Sequence, residues 1–134
     1  MRALTHPTPD VESDEAYQDA ILAHVSRTFA LTIPQLPAAL RAPVTSAYLL
    51  CRIADTLEDE PALSAADTYT YLQRFAAAVR GREDAARLAR DLVLRLSQAT
   101  LPAERDLVAN LPRMIRAVDR LGERQRDAIG RCIE

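Results

Sequence analysis

The sequence has no lysine and no tryptophan, only three glycines, and aromatic residues make up just 4% of its 134 positions. Runs of β-branched residues, the usual material of strands, are nearly absent. What is there is rich in Ala, Leu, Arg, Glu and Gln, the strong helix formers, so composition reads as all-α. The length suits one domain with a modest core. No apolar run approaches the length that spans a bilayer. The opening stretch MRALTHPTPDVESDEAY has no signal-peptide core and carries acids early, so secretion is not indicated. A cytoplasmic location is expected, with peripheral contact at a membrane surface left open. The two cysteines, Cys51 and Cys132, form no CxxC pair. Free thiols in a reducing compartment are the default, and a metal site built on them is not indicated. A net charge of −2 argues against a nucleic-acid binder.

Charge is uneven along the chain. Residues 1–73 hold four Arg against ten acids, and residues 74–134 hold thirteen Arg against nine. The second half reads as helix faces laced with Arg and acid pairs rather than as an anion-binding surface.

Residues 1–13 are polar and proline-bearing and read as a flexible lead-in. Ser13 or Asp14 can cap a helix expected to run to about His24. SRTFALTI, residues 26–33, forms a short helix that stops at Pro34 and Pro37. A third helix runs from after Pro37 to Glu60, where Pro61 ends it. Ser64 caps the next, which ends near Arg80 with Gly81 behind it. Another spans roughly 83 to 99. AERDLVA, LPRMIRAVDRL and ERQRDAIGRCIE follow, divided by Pro112 and Gly122, with Asn110 able to cap the middle one. The last remains amphipathic through Gln125, Ala128, Ile129, Cys132 and Ile133 with no cap behind it. Residues 14–134 are therefore expected to be the N-terminal part of one domain, truncated within a helix.

Against that background YLLCRIADTLEDEP, residues 48–61, is anomalous. Four acids, Asp55, Glu58, Asp59 and Glu60, crowd the end of the most hydrophobic helix, and no basic residue follows until Arg74. At about 100° per residue, Tyr48, Arg52, Asp55 and Asp59 share one stripe at i, i+4, i+7 and i+11. Leu49, Leu50, Ile53, Ala54 and Leu57 lie opposite, and Glu58 leans beside the stripe. Carboxylates at i and i+4 repel by roughly 0.2–0.5 kcal/mol when exposed, and the macrodipole disfavours anions at a helix C-terminus. A divalent cation offsets both. Mg²⁺ takes oxygen ligands and accepts one or two carboxylates, with substrate phosphates and water completing its shell. Arg52, one turn back, suits the same diphosphate, because its guanidinium fork grips phosphate oxygens in two places.

Each feature has a plainer reading when taken singly: the acids as a solvated helix end, Arg52 as a partner for Asp55, Tyr48 as core. A second element, SRTFAL at residues 26–31, sets Ser26 and Arg27 at a helix start, where hydroxyl, guanidinium and free N–H groups can hold an anion. Its plainer reading is an ordinary Ser cap with Phe29 in the core.

SRTFALTIPQLP followed by YLLCRIADTLEDEP resembles the N-terminal half of the squalene and phytoene synthase family, the head-to-head isoprenyl diphosphate synthases. LPRMIRAVDRL and RDAIGRCIE extend the resemblance more weakly. SRTFALTI and DTLEDE are closer to squalene synthase than to phytoene synthase. The resemblance implies an isoprenoid-synthase-type helical bundle around a central cavity, here incomplete. It implies that Asp55, Glu58 and Asp59 hold Mg²⁺, and that Arg27 and Arg52 contact diphosphate and NADPH. Tyr48 and Phe29 would line the isoprenoid cavity, Ser26 would lie beside the diphosphate end, and Tyr48 and Arg52 would be the catalytic pair.

The implied reaction condenses two farnesyl diphosphates, by way of presqualene diphosphate, to squalene, with NADPH as reductant. Condensation of geranylgeranyl diphosphate is the phytoene-type alternative. The family's second aspartate-rich motif is absent from these residues. They are therefore expected to supply half a metal site, to lack the C-terminal half of their own domain, and to be inactive alone. A rival from another class is a non-catalytic helical module whose acidic helix end binds a basic partner. A metal-binding four-helix protein is disfavoured by the missing Glu-x-x-His pairs, and His6 and His24 read as structural or solvent-facing.

Overall fold

The computed structural model describes residues 11–133, with side chains from residue 14 onward; His6 and most of the expected lead-in, residues 1–10, lie outside the described residues. The described residues form α1 (Val11–Val25), α2 (Arg27–Thr32), a 3-10 turn (Ile33–Gln35), α3 (Ala38–Asp59), α4 (Ala65–Val79), α5 (Ala85–Arg95), α6 (Pro102–Ala109), α7 (Leu111–Asp119) and α8 (Glu123–Ile133). There is no strand among them. The all-α reading holds.

Local chemistry sets most of the boundaries. The Ser26 hydroxyl accepts from the Phe29 N–H at 3.1 Å and starts α2. Pro34 sits in the 3-10 turn, and α3 begins straight after Pro37. Pro43 lies inside α3, where it removes one backbone donor. The Ser64 hydroxyl accepts from Asp67 N–H at 3.1 Å to start α4. At the other end Gly81 takes φ +81°, the left-handed region open to glycine. That turn lets Arg82 N–H return to the Ala77 carbonyl at 2.8 Å.

α3 is the central element, packed against α1, the 3-10 turn, α4, α6, α7 and α8. Its face of Leu49, Leu50, Ile53 and Leu57 is completely buried, as the helical wheel requires. These side chains join Phe75 of α4, Leu88 and Leu92 of α5, Leu107 of α6 and Met114 of α7 in one core. Each fully buried apolar side chain contributes about 1.5–3 kcal/mol. The opposite stripe of α3 is thereby turned outward, towards whatever α2 and α6 place beside it.

Three local expectations fail, each because a distant partner outcompetes a local one. Asp14 caps nothing, for α1 is already under way at Val11. Instead it is fully buried and accepts from three guanidiniums of α7 and the residue after it: Arg113 at 3.3 Å, Arg116 at 3.0 Å and Arg120 at 2.9 Å. Burial alone would raise the Asp14 carboxyl, but the hydrogen bonds and charges of Arg116 and Arg120 outweigh it and hold the carboxyl below its ordinary range.

The helix expected to reach Ala99 stops at Arg95. The Arg105 guanidinium takes the Ser97 carbonyl at 2.6 Å, and Ser97 N–H is drawn to Glu60 at 3.1 Å, so this segment bonds sideways rather than along a helix. Asn110 closes α6 instead of capping α7. Its amide donates to the Asp106 carbonyl at 2.8 Å, and Pro112 falls in the first turn of α7.

Candidate active site

The stripe on α3 is covered unevenly along its length. At its N-terminal end, Phe29 of α2 packs on Tyr48, with ring centroids 4.5 Å apart and the planes tilted by 36°. Phe29 is nonetheless 41% exposed, so it forms the outer wall of the stripe and is not core. Arg27 is exposed at the first residue of α2 and makes no ion pair or hydrogen bond to the described residues. The Ser26 hydroxyl is already engaged as the cap. The two motifs are thus neighbours in space, joined through an aromatic pair.

One turn further on, Arg52 reaches across to α6, where its Nη2 donates to Glu104 Oε2 at 2.6 Å. The i, i+3 pairing with Asp55, the plainer alternative for this arginine, does not form. The Nε of Arg52 is buried and has no hydrogen-bond partner, an unsatisfied charged donor in the wall of the site. Beside it lies a small polar cleft of about 140 Å³ lined by Arg52, Thr56, Asp59, Glu60, Thr100 and Glu104.

The four acids separate into two kinds. Glu60 is buried, and its carboxylate accepts from Thr100 Oγ1 at 2.7 Å, Ala62 N–H at 3.0 Å and Ser97 N–H at 3.1 Å. Burial would raise its pKa, yet the bonds from Thr100, Ala62 and Ser97 overcome that and hold the carboxyl at about 2. Glu60 is a tie between the end of α3 and the loop before α6. Asp55, Glu58 and Asp59 are exposed and have no hydrogen bond or ion pair among the described residues. Asp59 borders the cleft with Arg52; Asp55 and Glu58 do not.

That donor set fits one manner of holding Mg²⁺. Asp55 and Asp59 offer hard oxygen atoms one turn apart with no basic side chain competing for them, and Mg²⁺ accepts one or two carboxylates when phosphate and water fill the rest of its shell. No three His, Cys, Asp or Glu side chains among the described residues are grouped to hold an ion by themselves. The arrangement suits a cation that arrives with a phosphate ligand, and not one caged by protein.

Glu104 and Thr100 carried no signal in the sequence as parts of this region. Glu104 lies 52 positions from the arginine that it holds, beyond the reach of any helical spacing. Glu60 was visible only as one more acid in a cluster, and its separate role comes from the loop that wraps it.

Comparison with known proteins bears on the same residues. The squalene/phytoene synthase family model matches residues 22–132. Squalene synthase BSS of Botryococcus braunii is 42% identical over 64 residues, which is 48% of this chain and 14% of that protein. Squalene synthase LSS of the same alga is 51% identical over 43 residues, 32% of this chain and 9% of that protein. The matched stretches thus span well under a quarter of the curated relatives. No solved structure gives a significant match. Among the described residues no helix is long and apolar enough to cross a membrane.

Proposed function

The chain belongs to the squalene/phytoene synthase family, and from that premise we propose that its α2–α3 face forms one wall of a site for head-to-head condensation of two isoprenyl diphosphates. Farnesyl diphosphate is the substrate we favour, giving squalene by way of presqualene diphosphate, because the two squalene synthases match so well here. A geranylgeranyl substrate is the alternative within the family. The observation that carries the reading is the single stripe along which Tyr48, Arg52 and Asp59 follow one another, with Phe29 against one end and a polar cleft at the other.

In this reading Asp55 and Asp59 hold Mg²⁺ jointly with the diphosphate, and Glu58 stands beside them. When bound, the cation would neutralise charge that develops on the departing diphosphate. Arg52 holds a phosphate oxygen through its guanidinium at the cleft while Glu104 keeps that group in place, and Arg27 supplies a second cation from α2. Ser26 fixes the start of α2, and so the position of Arg27 and Phe29. Tyr48 and Phe29 present an aromatic surface to the isoprenoid chain, which keeps water from an allylic cation. If the product is squalene, NADPH is the reductant, with Arg27 and Arg52 as the residues facing it. A single carboxylate cluster supplies half of the phosphate clamp, so these 134 residues bind a substrate diphosphate without turning it over.

The test is a calorimetric titration of the chain with farnesyl diphosphate, geranylgeranyl diphosphate and inorganic pyrophosphate, each with and without Mg²⁺. Binding that needs Mg²⁺ and is tightest for farnesyl diphosphate supports the reading. Equal heats with and without the cation would contradict it. The exposure of Asp55 and Glu58 favours a second reading, a helical module that docks a basic partner through this acidic end. That reading predicts binding of an arginine-rich peptide which Mg²⁺–pyrophosphate does not displace.

A further inference from the structure

The two cysteines lie 81 positions apart in the sequence, yet they stand on two helices that pack against each other, α3 and α8. Cys51 sits midway along α3, on a stripe of small residues that includes Ala47 and Ala54, both packed against the core. α8 packs against α3, and Cys132 stands three residues after the buried Ile129, at the exposed edge of the face that Ile129 and Ile133 turn to the core. Both are free thiols. Burial pushes the Cys51 thiol up, and the adjoining Cys132 sulfur and the Asp55 carboxylate push it further. Cys132 is exposed, so the pair consists of one sheltered thiol and one that solvent reaches.

We propose that Cys51 and Cys132 form a reversible intramolecular disulfide, a redox latch that fastens α8 to the helix carrying the acidic stripe. The pair divides the work by exposure. A small peroxide reaches Cys132 first; its thiolate attacks one oxygen, the O–O bond breaks, and a sulfenic acid forms as hydroxide leaves. The Cys51 sulfur then attacks that sulfenic sulfur. The S–S bond forms, the S–O bond breaks, and water departs with the Cys51 proton. Two electrons pass from the two sulfurs to the peroxide, and a dithiol reductant returns them by exchange. Closure would hold α8 beside Arg52, the next residue after Cys51, and restrict how far the stripe can open. The inference stands on this packing and does not depend on the diphosphate reading.

The experiment treats the native chain with hydrogen peroxide, and separately with a glutathione redox buffer, then reads intact mass and free thiols. The expected result is a monomer lighter by two hydrogens with no titratable thiol, restored by dithiothreitol. Cys51→Ser and Cys132→Ser, each checked for native helicity, should both abolish that species. In urea the closure equilibrium should fall by at least roughly tenfold, because the fold supplies the effective concentration. A native wild-type monomer that gains oxygen or glutathione at Cys132 without losing the two hydrogens would overturn the proposal. So would a product made only of disulfide-linked dimers.

Discussion

Phe29 packs its ring against Tyr48 at a centroid distance of 4.5 Å, and that contact joins two motifs which the sequence shows only as separate stretches. α2 is just six residues long and cannot hold itself together. Its place depends on packing against α1 and the 3-10 turn, and the aromatic pair ties it to α3 while the Ser26 cap fixes its start. The position of Arg27 follows from these contacts together.

Phe29→Ala should therefore cost about 1–3 kcal/mol, the worth of the aromatic pair together with the burial of part of the ring. Because the ring is part-exposed, the loss should stay in that range and not reach that of a core deletion. Chemical denaturation of the two proteins checks the magnitude. Phe29→Leu should recover part of it through apolar contact alone.

Arg52 is held by Glu104 at 2.6 Å through one arm of its fork. A lysine at this position carries its three donors on one nitrogen and lacks the planar fork whose separate nitrogens reach Glu104 and a phosphate at once. Arg52→Lys should weaken Mg²⁺–pyrophosphate binding by about tenfold, the factor that corresponds to roughly 1.4 kcal/mol. The denaturation midpoint should move little, because the ion pair to Glu104 survives. Titration calorimetry alongside urea unfolding separates the two effects.

Asp14 is buried among Arg113, Arg116 and Arg120, and it anchors α1 to α7, the helix packed against it. Asp14→Ala removes the carboxylate that these three contacts share and should cost about 3 kcal/mol, the lower end for breaking a buried charged pair, since the arginines keep some access to water. Asp14→Asn should do only slightly better, because an amide lacks the charge. Thermal unfolding measures both.

Glu60 gives the chain an acid-sensitive tie. Its folded pKa of about 2 lies below the ordinary 4.5, so the unfolded chain takes up a proton first as pH falls. The stabilisation is complete above the ordinary value and is lost as pH drops from there towards the folded one. Asp14, whose carboxyl is also held below its ordinary 3.8, adds to the same decline. Glu60→Gln should lower stability at neutral pH and flatten the fall below pH 4.5. Urea midpoints across that range test the slope.

The helices were legible because periodicity and capping are local. The apolar face of α3, the Ser26 and Ser64 caps and the glycine stop after α4 depend on residues within a turn or two, and each appears where the pattern puts it. Asp14 was misread for the converse reason. A short acid ahead of an apolar run carries the signature of a cap, and nothing nearby in sequence announces three arginines about a hundred positions on. The end of α5 failed in the same way, since Leu96 to Ala99 have reasonable helix propensity and yield to Glu60 and Arg105. In the candidate site, the alignment of Tyr48, Arg52, Asp55 and Asp59 follows from helix geometry alone. The partner of Arg52, the separate role of Glu60 and the shared neighbourhood of Cys51 and Cys132 required the tertiary fold.

The central claim is that the exposed carboxylates of α3 hold Mg²⁺ together with a diphosphate. Its most direct measurement is the affinity of the chain for inorganic pyrophosphate with and without Mg²⁺, in the wild type and in Asp55→Asn and Asp59→Asn. These side chains make no hydrogen bond or ion pair among the described residues, so neither substitution should disturb the fold. The account predicts Mg²⁺-dependent binding that falls by about tenfold or more in each variant, at least roughly 1.4 kcal/mol, with the circular dichroism spectrum unchanged. Wild-type affinity in both variants, or binding indifferent to Mg²⁺, would contradict it.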